Sequence, residues 1–160
     1  MSYFMRLVKP EYVTLYGDKK EDYRNYEKYS WLEQNEKPAD FINGFEAIDG
    51  GVFSVYEIED PTDREFIKKV IAAVKKRGGT VAKKGAAAIL IKPEAISNNG
   101  LIIIKDNGNT KISEIDVLHH NIKNATLSKI ASLLDTFPGS IQNYVAFHKV
   151  DIEAVIKELL

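Results

Sequence analysis

The chain has 160 residues, 44% apolar and 28% charged, and its 22 basic and 23 acidic side chains leave a formal net charge of -1. It contains no cysteine, which excludes disulfides, thiolate metal ligands and a cysteine nucleophile. Its longest apolar runs fall far short of the ~20 residues that span a bilayer, and its start, MSYFMRLVKPEY, lacks the uninterrupted apolar core of a signal peptide. One cytoplasmic domain with no membrane partner is expected.

In chain order, MRLVK and YVTLY read as short strands, broken by Pro10 and ended by Gly17. The polar stretch DKKEDYRNYEKYSWLEQNEK, closed by Pro38, reads as a helix. VFSVYEIE is rich in β-branched and aromatic residues and reads as a strand. Thr62 and Glu65 then form a T-x-x-E capping box. Phe66, Ile67, Val70, Ile71 and Val74 follow with the 3.6-residue period of an amphipathic helix. Gly78 and Gly79 are its expected stop, because glycine accepts the left-handed conformation of a helix end.

AAAILIK is apolar on both faces, which places it inside a sheet. LIIIK and TKISEI flank DNGN, whose Asn107-Gly108 is a hairpin signal. AAAILIK and LIIIK are expected to be antiparallel neighbours. NATLSKIASLLDTF reads as a second amphipathic helix stopped by Pro138-Gly139, YVAFHK as a strand, and IEAVIKELL as a last helix capped by Asp151. This order predicts a two-layer α+β sandwich over residues 51–160, with a mostly antiparallel sheet and helices on one face. A ferredoxin-like core suits it. The acidic, Tyr-rich segment 1–50 would pack on that core or extend it.

The small net charge hides a segregation. Residues 1–67 carry 15 acidic and 8 basic side chains, whereas residues 68–84 carry seven basic ones and no acidic one: Lys68, Lys69, Lys75, Lys76, Arg77, Lys83 and Lys84. At 100 degrees per residue, Lys68, Lys69, Lys75 and Lys76 fall opposite the apolar stripe of their helix. A surface of one sign attracts phosphates or an acidic protein. The glycines after it do not form a phosphate cradle, because such cradles lead into a helix N-terminus and these follow a helix C-terminus.

Six of the eight tyrosines lie between Tyr3 and Tyr29, and the single tryptophan, Trp31, follows them. On a helix, Tyr23, Tyr26, Tyr29 and Trp31 do not form one stripe, so some would be exposed among charges, as in protein interfaces. His119-His120-Asn121 follows a strand-like segment. It resembles the ββα-metal nucleases of the His-Asn-His class, in which one His is the base and another holds the metal. The later paired histidines of that class are missing, and the third histidine, His148, lies 28 positions beyond His120. Asp116 and Glu114 are further possible ligands. No Ser, Thr or Lys nucleophile motif and no dinucleotide fingerprint occurs, so no cofactor is expected. Two readings follow. The first is a non-enzymatic binding protein whose basic helix face engages an acidic protein surface or nucleic acid. The alternative is a metal-dependent nuclease or phosphodiesterase using His119 and His120.

Overall fold

The longest helix among the described residues shows how the sequence builds the fold. Asp60 accepts hydrogen bonds from both the backbone N–H and the hydroxyl of Thr62, forming a small turn before α1 (Arg64–Gly78). Asp63 then caps the helix, accepting from the N–H of Phe66 at 3.1 Å. The side chain that caps the helix is therefore that of Asp63, not that of Thr62 as the T-x-x-E pattern predicts. Ile67, Val70 and Ile71 are fully buried and so are Ala72 and Ala73, with Phe66 and Val74 packed at the margin. Each large apolar side chain taken from water contributes about 1.5–3 kcal/mol. The buried face is wider than the apolar stripe because α4 (Lys149–Glu158) lies beside α1 and buries Ile152 in the same core.

The structure, a computed structural model, describes residues 2–8, 14–15, 26–27, 53–78, 81, 85–123, 129, 132–133 and 141–159. Its main strands are β1 (Tyr3–Val8), β4 (Phe53–Ile58), β5 (Ala86–Ile91), β6 (Ile102–Lys105), β7 (His119–Lys123) and β8 (Ile141–Phe147). A separate two-stranded ladder joins β2 (Thr14–Leu15) to β3 (Tyr26–Glu27). The six strands form one sheet in the order β6-β7-β4-β1-β5-β8, antiparallel at every pairing. With α1, α4, α2 (Pro93–Asn98) and α3 (Ser113–Asp116), this is the expected α+β sandwich. The ferredoxin-like order is not established by it. The strand between β4 and β5 is the N-terminal β1, not one that follows β5 in the chain.

Side-chain alternation assigns the faces. Met5, Tyr56, Ile58, Ala86, Ala88, Leu90, Val145 and Phe147 meet α1 and α4 in one cluster. On the opposite face Phe4, Val55, Ile89, Ile91 and Ile122 are buried too. AAAILI is accordingly buried at all six positions, as a strand apolar on both faces should be.

Four local expectations are corrected. AAAILIK does not neighbour LIIIK: β5 lies between β1 and β8, and β6 pairs with β7. TKISEI is not a strand. Lys111 turns to φ 67°, and Asp116 collects the N–H and hydroxyl of Thr110 at 2.7 and 2.6 Å, which closes the segment into α3. The polar stretch 18–37 reads as a helix, yet Tyr26–Glu27 is strand, and the rest of the stretch lies outside the described residues. Asp151 lies in the first turn of α4, and His148 is the cap position. The amphipathic segment NATLSKIASLLDTF lies mostly outside the described residues.

Candidate functional site

The basic run of the sequence divides in space. Lys68 pairs with Glu65 one turn back at 3.1 Å, and its ammonium lies 5.8 Å from the centroid of the Phe147 ring. Lys69 pairs with Glu114 of α3, 45 positions away. The helix face read as wholly positive therefore has a carboxylate against each of its first two lysines. Among the described residues, Lys75 and Arg77 form no ion pair. Lys83 and Lys84 lie outside the described residues, as do Tyr23, Tyr29 and Trp31. Tyr26 is in β3.

The second half of α1 meets basic residues of α4. Lys75 and Lys76 line a groove of about 360 Å³ together with Lys149 and Lys157, over Val81 and Ile156 and beside one carboxylate, Glu153. Lys76 reaches across to the carbonyl of Leu159 at 3.4 Å, so its stem is held along the seam between the helices. Lys149 and Lys157 were not among the residues the sequence singled out. A basic residue on another helix joins such a patch only through the packing of α1 on α4, and no pattern along the chain marks it.

The histidines are placed apart. Successive strand residues point to opposite faces. His119 packs edge-on against Tyr56 at 5.3 Å, whereas His120 packs against Phe4 at 5.3 Å and has Glu57 3.7 Å from Nε2. Each ring Nδ1 also meets a backbone carbonyl, His119 that of Asp106 and His120 that of Leu118. A carbonyl can only accept, so Nδ1 carries the proton in both rings. The carboxylates are engaged as well, Glu114 by Lys69 and Asp116 by Thr110. Two imidazoles on opposite faces cannot share one metal ion. Among the described residues, no group of three His, Asp or Glu side chains is placed to hold one.

Neither a family model, nor a curated protein, nor a solved structure matches this chain. Among the described residues, no helix is long and apolar enough to cross a membrane.

Proposed function

We propose that this protein is a small non-enzymatic binding protein that takes an acidic segment of a partner protein along the groove between α1 and α4. The observation that carries the reading is the meeting of Lys75, Lys76, Lys149 and Lys157 over an apolar floor of Val81 and Ile156. An acidic segment with an apolar side uses both features: carboxylates meet the lysines, and the apolar side chains cover the floor. A nucleic-acid backbone uses the lysines alone and leaves the apolar floor uncovered. The cysteine-free composition fits a reducing, cytoplasmic setting.

Charges at an open groove act mainly on the rate of association and on its salt dependence. The test compares the full chain with a Lys75/Lys149/Lys157→Glu variant. Proteins retained from native lysate are identified with and without nuclease treatment, and the fold of the variant is checked by circular dichroism. The expected result is a protein retained by the wild type after nuclease and lost from the folded variant. Loss on nuclease treatment alone would assign the groove to nucleic acid. Equal retention by wild type and variant would remove the groove from function.

A further inference from the structure

A polar cleft of about 310 Å³ opens between the end of α1 and the sheet. Tyr56 of β4 and His119 of β7 face each other in the ladder and form its floor. Val74 and Arg77 line it from α1, Leu7 from β1, and residues 106–109 from the loop after β6. Arg6 also borders it but belongs to the other face of the sheet, opposite to Met5 and Leu7. There its guanidinium donates to the carbonyl of Ser54 at 2.9 Å and lies 5.4 Å from the centroid of the Phe53 ring.

The loop is fixed on several sides. The N–H of Asp106 donates to the carbonyl of His119 at 3.2 Å, and that of Gly108 to the carbonyl of Asp116 at 2.9 Å. Gly108 has no room for a side chain: a Cβ would stand 3.0 Å from an Asp116 carboxylate oxygen and 3.2 Å from Cβ of His119. The Asn107-Gly108 signal thus serves close packing of a loop, not a hairpin.

The cleft holds polar groups of two kinds that have no partner among the described residues. Arg77 and Tyr56 are donors. The guanidinium of Arg77 forms neither an ion pair nor a hydrogen bond. Tyr56 is only 6% exposed, yet its hydroxyl makes no hydrogen bond and is not sealed in the core. A polar group on so buried a residue ordinarily has a partner. Arg77 lies near enough to this phenol to counter part of the rise in its pKa that burial causes. Asp106 and His119 are acceptors. One carboxylate oxygen of Asp106 takes the Asn121 amide at 2.8 Å, and the other takes nothing. His119 carries its proton on Nδ1, toward the carbonyl of Asp106, so Nε2 is left to accept.

An anion alone would use the donors and meet the Asp106 carboxylate as a repulsion. A cation alone would use the acceptors and meet Arg77. A zwitterion uses both sets. A guanidinium fork matches a carboxylate in geometry and charge, and an ammonium supplies donors to a carboxylate and an imidazole nitrogen. Leu7 and Val74 add an apolar wall for a short side chain. The volume is at the lower end of small-molecule pockets, roughly 300–1,000 Å³, which suits one amino acid.

We propose that this cleft binds a small aliphatic α-amino acid, its carboxylate held by Arg77 and Tyr56 and its ammonium by Asp106 and His119. The site is separate from the lysine groove and does not depend on it. Arg77 and Asp106 are both exposed, so replacing either leaves the core intact.

The test is a titration of the full chain with L-valine, with isovalerate, which lacks the ammonium, and with isobutylamine, which lacks the carboxylate. Amide chemical shifts in two-dimensional NMR report binding. Saturable shifts of Gly108, Asn109 and Arg77 are expected with L-valine, and weaker ones with either fragment. Arg77→Gln and Asp106→Asn should each weaken L-valine binding about tenfold or more, the loss of one charge-assisted contact. Lys75→Gln should leave it unchanged. The proposal is overturned if L-valine gives no saturable shifts at these residues or if either fragment binds as well as L-valine. It is also overturned if Arg77→Gln or Asp106→Asn binds like wild type, or if Lys75→Gln weakens binding as much as Arg77→Gln.

Discussion

Gly85 and Gly78 should respond to the same substitution with opposite signs. Gly85 precedes β5 at φ 96°. A Cβ there would lie 2.0 Å from the carbonyl oxygen of Phe147, 3.1 Å from its carbonyl carbon and 3.2 Å from that of His148. All three are backbone atoms at the junction of β8 and α4, so none can rotate aside. Gly85→Ala must hold a backbone conformation that L-residues rarely adopt, at about 1–3 kcal/mol. It must also push Phe147 from its place opposite Ala86, at about 1 kcal/mol for each hydrogen bond given up. The expected loss is about 2–5 kcal/mol. At about 2–4 °C per kcal/mol for a chain of this size, the melting temperature should fall by roughly 5–20 °C. At Gly78, the last residue of α1, a Cβ meets nothing within 4 Å. Gly78→Ala should therefore stabilise by about 0.4–1 kcal/mol, from helix propensity and a less free unfolded chain. Urea unfolding followed by far-UV circular dichroism measures both. A Gly85→Ala variant within about 0.5 kcal/mol of wild type, or two shifts of the same sign, would refute the reasoning.

Val70 is fully buried among Ile67, Ile71 and Ile152. Val70→Asp places a carboxyl there without a partner, so a loss above about 4 kcal/mol, or no folded protein at all, is expected in the same assay. Because Asp63 and not Thr62 caps α1, Asp63→Ala should cost about 1 kcal/mol and Thr62→Ala less. Thr62→Ala should instead act on Asp60, whose carboxyl the Thr62 hydroxyl, and then the Thr62 N–H, hold below its ordinary value. A lowered folded-state value gives stability that is present at neutral pH and lost as pH falls through the carboxylate range. An NMR titration should find the Asp60 value raised in Thr62→Ala. Burial raises Tyr56 above the ordinary phenol value, and Arg77 works against it. Arg77→Ala should raise it further, read from tyrosine ring-carbon shifts, and an unchanged or lowered value would contradict the placement of Arg77. The sign for stability is opposite to that of Asp60: the folded state keeps the Tyr56 proton longer, so stability falls as pH rises past about 10.

Local elements were legible where one face or both had to be buried. The stripe from Ile67 to Ile71 and the wholly buried AAAILI follow from period and composition. Neighbours were not legible, because a strand's identity is local and its partner is not. MRLV reads as a strand, but nothing in it says that Tyr3 will face Ile58 on one side while Phe4 faces Ile91 on the other. TKISEI misled for a different reason. Its alternation is a strand pattern, but Thr110 and Asp116 hydrogen-bond locally and turn the backbone away from a ladder. α2 carried a readable signal that was passed over, a proline at the first helical position, Pro93.

The charge pattern fails and succeeds for the same physical reason. Counting along residues 68–84 finds only positive charge, but potential depends on neighbours in space within a Debye length of about 8 Å. Glu65 stands just outside the counted window and answers Lys68 from one turn away. Glu114 answers Lys69 from another helix. The same packing that cancels the first half of the run enlarges the second, by bringing Lys149 and Lys157 to Lys75 and Lys76. The basic surface is thus a seam between two helices and not a face of one. Reversing Lys68 and Lys69 removes two local ion pairs, whereas reversing Lys75, Lys149 and Lys157 inverts the groove. A partner that reads the run as the sequence writes it would respond to both changes, and one that reads the groove only to the second.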